Sequence, residues 1–229
     1  MDNDVPLREQ IKKNLIEKAN IQQTVFDNTF HVFNELKEIL HEMSSELNDE
    51  LEEYLDKRIR IEYRDRGKFE AQLQVAGDVL IFSMHTNVFE FNRDHIIWQN
   101  KYATQEKLNS QCGMISVYNF LADSLKFNRS GDEGYLIARI FINRDMYYFV
   151  EGKQQTSLRH DRFGTRKIDK QALVEIVESA ADYTLDFDPL VPPYDHAKIV
   201  TVDQLNTKLE HSKIQSGKRL GFKFNADDI

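Results

Sequence analysis

From Arg8 to Arg66 the chain contains neither Gly nor Pro, and within that span its apolar spacing changes character once. Leu7, Ile11, Leu15 and Ala19 step by four, and Val25, Phe26, Phe30, Phe33, Leu36, Leu40, Met43, Leu47, Leu51 and Tyr54 continue at helical spacing. Steps of three and four keep side chains on one face of a helix. The spacing predicts a short helix followed by a long one over about 22–56. At Arg58 the step falls to two: Ile59, Ile61 and Tyr63 alternate with Arg58, Arg60, Glu62 and Arg64, as a half-buried strand requires. A long helix running directly into strands defines an α+β class.

The period of two continues through Phe69, Ala71, Leu73 and Val75. Asp65-Arg66-Gly67 suits a three-residue hairpin loop with Gly67 left-handed, which would pair Glu62 with Glu70 and Arg60 with Gln72. A turn at Ala76-Gly77-Asp78 leads to a third strand from Val79 to His85, continuing to Phe91. Residues 92–112 are polar and irregular around Trp98. Met114, Val117, Tyr118, Leu121 and Leu125 fit a helix. A second hairpin joins 135–142 to 146–151 through Asn143-Arg144-Asp145. A basic loop over 153–167 precedes a helix over about 169–183 with Asp169 as its N-cap. The tail offers a strand at 199–202, a short helix, and a strand at 220–224. The expected architecture is a set of N-terminal helices and a mainly antiparallel sheet packed by one or two helices.

Charge divides the chain. Residues 1–56 hold 14 Asp and Glu against 5 Lys and Arg, a net of −9, whereas the remaining 24 acids and 25 bases nearly cancel. The division sets residues 1–56 apart as an acidic helical arm from an α+β domain over 57–229. Within the arm, positions 33, 36, 40, 43 and 47 alternate steps of three and four, which suits either packing on the chain's own sheet or a two-helix seam. Self-association as a homodimer through these helices is the expectation taken. No apolar run approaches the roughly 20 residues of a membrane span, and a lone cysteine, Cys112, makes no internal disulfide, so a soluble, cytoplasmic protein is expected.

Two segments have the residues of catalytic motifs. Asn109-Ser110-Gln111-Cys112-Gly113 precedes the helix expected from Met114, and a thiol at a helix N-terminus is acidified by the dipole. This Gln and Cys-Gly arrangement resembles papain-like cysteine hydrolases, and the resemblance implies a Cys112 nucleophile with a downstream strand His. The 135–151 hairpin contains none, and His160 beside Asp161 lies in a loop. Tyr147-Tyr148-Phe149-Val150-Glu151-Gly152-Lys153 resembles the metal-binding strand of PD-(D/E)xK nucleases, which implies that Glu151 holds a divalent ion and Lys153 positions water. That family also needs an Asp on the preceding strand, where 135–142 has no acid. Histidines show no metal-ligand spacing, and His31, His41, His85 and His95 read as structural. There is no phosphate-binding Gly loop and no nucleophile elbow, and no cofactor is implied.

The third constellation is basic. Arg58, Arg60, Arg64 and Lys68 line one side of the first hairpin. Lys153, Arg159, Arg162, Arg166, Lys167 and Lys170 stand against Asp161 and Asp169 in the 153–170 segment, a net of +4. Together they would suit an anionic ligand or protein partner. The function read from the sequence is therefore a non-catalytic interaction or ligand-binding protein with a basic surface on its sheet domain. The alternative is a hydrolase, either a metal-dependent nuclease or a Cys112 thiol enzyme.

Overall fold

A computed structural model describes residues 6–56, 59, 61–152, 163–186, 199 and 201–202. Helix α1 (Leu7–Asn14) runs without a break through a π turn (Leu15–Ala19) into the 32-residue α2 (Asn20–Leu51). Six strands follow: β1 (Ile61–Asp65), β2 (Glu70–Val75), β3 (Asp78–Met84), β4 (Cys112–Leu121), β5 (Tyr135–Asn143) and β6 (Tyr148–Gly152). They form one antiparallel meander in chain order. Short helices α3 (Lys101–Gln105) and α4 (Ala122–Lys126) lie between strands, and α5 (Lys170–Leu185) follows the sheet. Asp169 caps α5 as its sequence suggests, with Oδ1 accepting from Ala172 N at 2.8 Å.

Helices α2 and α5 cover one face of the sheet. Phe33, Leu36 and Leu40 of α2 join Leu73, Leu80, Phe82, Ile115 and Ile140 of the strands and Leu173 and Ile176 of α5 in one core. The three-and-four stripe of α2, with Met43 and Leu47 at its end, thus packs against its own sheet. It passes close over the sheet at Gly113, where a Cβ would lie 2.0 Å from Thr29 Oγ1. On the other face a smaller cluster of Cys112, Phe141, Phe149, Ile97, Ala103 and Phe163 covers β5, β6 and the start of β4.

Several sequence expectations are corrected. Residues 114–121 form the central strand β4, not a helix. Both faces of β4 are buried, so its apolar residues show no period of two. The first hairpin turns over Gly67–Phe69, with Arg66 N donating to Glu70 O and Asp65 Oδ1 accepting from Gly67 N. Glu62 consequently faces Gln74 and Arg64 faces Gln72, and among the described residues of this hairpin no like-charge pair forms. Strand β3 ends at Met84, and Phe89 returns only as an isolated bridge to Cys112. Residues 96–110 are short helical turns whose buried anchor is Ile97, with Trp98 half-buried. In the tail, Ile199 and Thr201 lie in no strand and Val202 is helical, while the elements expected beyond lie outside the described residues.

Candidate functional site

The two basic segments do not converge through their described members. Arg64 sits on β1 at one edge of the sheet, whereas Lys167 bridges to Tyr147 beside β6 at the other. Five strand spacings of ~4.8 Å separate those edges by about 24 Å. Arg166 is drawn to Asp169 (3.6 Å) and Glu175 (3.5 Å) next to α5. Lys68 Nζ lies 5.1 Å and 5.3 Å from the Phe30 and Phe69 ring centres, and Lys167 Nζ 5.9 Å from that of Tyr147. Arg58, Arg60, Lys153, Arg159 and Arg162 lie outside the described residues.

A different set of cations comes together. On the sheet face opposite α2 and α5, registers align Arg64, Gln72, Ile81 and Tyr118 across β1 to β4. At the end of this face, Ala122 N donates to Gly77 O at 2.8 Å, which sets α4 beside the β2–β3 turn. The result is a groove of about 780 Å³ walled by Arg64, Arg66, Lys126 and Arg129, with Gln72 and Gln74 on its floor and Asp123 as its acid. Internal partners orient the guanidiniums. Arg64 is bidentate to Glu62 (3.0 Å for each bond), which raises its pKa. Arg66 donates to Gln72 Oε1 (2.9 Å) and approaches Glu70 (3.7 Å), and Arg129 approaches Asp132 (4.0 Å). These pairs are solvent-exposed, where an ion pair is worth only about 0–1 kcal/mol, so a polyvalent anion can displace the carboxylates. Arg64 was legible in the sequence, but Arg66, Lys126 and Arg129 were not, because their meeting depends on β4 and on the placement of α4.

Neither catalytic motif keeps the arrangement its resemblance implies. Cys112 opens a strand rather than a helix, and burial pushes its thiol far above the ordinary 9.0. A thiol reagent at pH 8 should leave it unmodified in the native protein and label it fully after denaturation; rapid native labelling would contradict this burial. The sign is fixed: the unfolded thiol ionises first, so its contribution to stability is complete below about pH 9 and falls as pH rises further.

Glu151 lies between two cationic or donor groups. Arg139 Nη2 donates to its Oε2 at 2.6 Å, and His95 Nε2 meets its Oε1 at 2.6 Å. His95 Nδ1 accepts from Ile97 N at 3.2 Å, which leaves Nε2 as the donor to Glu151. Among the described residues no three His, Cys, Asp or Glu side chains are grouped to hold a metal. The link from His95 to Glu151 spans 56 positions and left no signal in the sequence.

The class defined by these features is an α+β protein with a helix-backed antiparallel meander and a groove lined by Arg and Lys at one end of its other sheet face. Compared with known proteins, the chain matches no family model, no curated protein and no solved structure. Among the described residues no helix is long and apolar enough to cross a membrane.

Proposed function

We propose that the chain is a non-catalytic binding protein whose open sheet face takes an anionic, phosphate-bearing partner in the Arg64–Arg66–Lys126–Arg129 groove. The convergence of four cations from two elements distant in sequence supports this reading. Arg guanidiniums offer paired donors that match phosphate oxygens, and Gln72 and Gln74 add amide donors beside them. As part of the same proposal, the protein is cytoplasmic, in keeping with its lone cysteine, and self-associates through its N-terminal helix. The hydrolase alternative has less support, because the Cys112 thiol is buried and both Glu151 oxygens are engaged.

The test is a titration with a labelled single-stranded oligonucleotide and with inorganic tripolyphosphate. Four phosphate contacts would give a log–log salt slope of about −3 for the oligonucleotide. Arg66→Ala combined with Arg129→Ala should weaken both ligands by roughly a hundredfold or more, as loss of two charge-assisted contacts at about 1.5–3 kcal/mol each implies. Absence of binding by the unaltered protein at low salt, or unchanged affinity in the double variant, would overturn the reading.

A further inference from the structure

The helix that carries the core extends well beyond it. Residues 7–20 are exposed all round, and neither α1 nor the π turn buries a single side chain. Leu7, Ile11, Leu15 and Ile16 are 71%, 50%, 60% and 66% exposed. At ~1.5 Å per residue this overhang is a rod of about 21 Å. The four-residue steps place Leu7, Ile11 and Leu15 on one face, flanked by Arg8 and Lys12. Charge is divided along the same helix. Residues 7–19 carry Arg8, Lys12, Lys13 and Lys18 against Glu9 and Glu17, whereas residues 20–51 carry seven acids against Lys37 alone.

We propose that residues 7–20 of one molecule dock antiparallel along the acidic flank of α2 in a second copy of this chain, with the contact repeated about a two-fold axis. The inference rests on the self-association in the reading above and is independent of the groove. Opposite charge favours the pairing, as does the helix dipole, which sets the positive N-terminal end beside the negative C-terminal half of the partner helix. The apolar stripe of α2 is already buried in its own core, so its outer flank is what a second copy meets. That flank carries a shallow groove of Asn34, Lys37, Glu38, His41, Glu42, Tyr63 and Asp65. The edge-to-face His41 and Tyr63 rings, 5.7 Å apart, give the aliphatic stripe an apolar surface. Each overhang offers a face of roughly 21 by 10 Å. Two overhangs and two receiving flanks then bury on the order of 1,000 Å², the lower bound for a specific interface, so the dimer is weak and salt-sensitive.

Light scattering and sedimentation of the full chain test this. The unaltered protein should be dimeric at low salt and dissociate at about 1 M salt, where the Debye length is ~3 Å. Ile11→Asp with Leu15→Asp should give a monomer with an unchanged melting temperature, since both side chains are exposed. Lys12→Glu with Lys18→Glu should also dissociate it, and adding Glu38→Lys with Glu46→Lys in the same chain should restore the dimer. A monomer at every salt concentration overturns both the self-association and this surface. A dimer that survives Ile11→Asp with Leu15→Asp overturns the surface alone. A monomeric chain that binds phosphatidylserine vesicles through Ile11 and Leu15 would assign the overhang to a lipid surface and overturn the proposal.

Discussion

Replacing Gly113 with Val is expected to destabilise the protein by about 3 kcal/mol or more, at the upper end of what overpacking a buried position costs. Gly113 lies in β4 directly under α2, and any Cβ there falls 2.0, 2.8 and 2.9 Å from Thr29 Oγ1, Cβ and Cγ2. The neighbour cannot rotate away, because Thr29 is β-branched and fully buried and its hydroxyl donates to Val25 O at 2.7 Å. Relief therefore requires the helix and the sheet to part along the main core. Urea midpoints would measure the loss. Gly113→Ala combined with Thr29→Gly should recover part of the cost of Gly113→Ala, because the two positions share one contact. Strict additivity of the two changes would show that the approach is not what makes Gly necessary.

Asn143→Ala should cost about 3 kcal/mol and loosen residues 92–111 in particular, because removing the amide strands several buried partners, each at about 1–3 kcal/mol before relaxation. Asn143 is fully buried at the end of β5 and uses both ends of its amide. Nδ2 donates to Tyr102 OH (2.9 Å) and Asn109 O (3.2 Å), while Oδ1 accepts from Asp145 N (3.0 Å) and Tyr147 N (2.9 Å). Around it, Tyr102 OH also donates to Asp145, and Arg144 binds Glu106 and Asn109 Oδ1. Burial, with Asp145 beside it, holds the Tyr102 phenol well above its ordinary pKa, so it stays a donor throughout the neutral range. Hydrogen exchange should show faster exchange in the 96–110 turns than in α2. Asn143→Asp separates the two halves of the role, since it keeps the Oδ acceptors for the turn but loses both donors. Uniform loss of protection across the whole sheet would contradict a local tie.

How far the sequence discloses this molecule depends on whether each element has two different faces. Helix α2 and strands β1 and β2 carry their apolar side chains on one side, so their periods of about 3.6 and 2 are visible in the residues. The cap of α5 is a local event between Asp169 and Ala172 and is equally visible. Strand β4 is buried on both sides, and the spacing of Met114, Val117, Tyr118 and Leu121 imitates a helix. The buried Ser116 and Asn119, which a helix would have turned outward, show the error only once burial is known. The hairpin register is displaced because Gly67 is left-handed (φ 114°) in either alignment, so the glycine alone does not choose between them. Among the candidate site residues, Arg64 is visible as a basic strand position. Its neighbours Lys126 and Arg129 depend on how α4 meets Gly77, a contact that no local pattern encodes. Basic residues are plain in the sequence, and the order of the strands decides which of them meet.

The open basic face is the central claim, and backbone amide shifts recorded while tripolyphosphate is added at low salt test it most directly. Shifts should concentrate on Arg64, Arg66, Gln72, Gln74, Lys126 and Arg129, and should vanish in Arg66→Ala with Arg129→Ala. Shifts centred on Arg166 and Lys167 at the opposite edge, or on the helices behind the sheet, would contradict it.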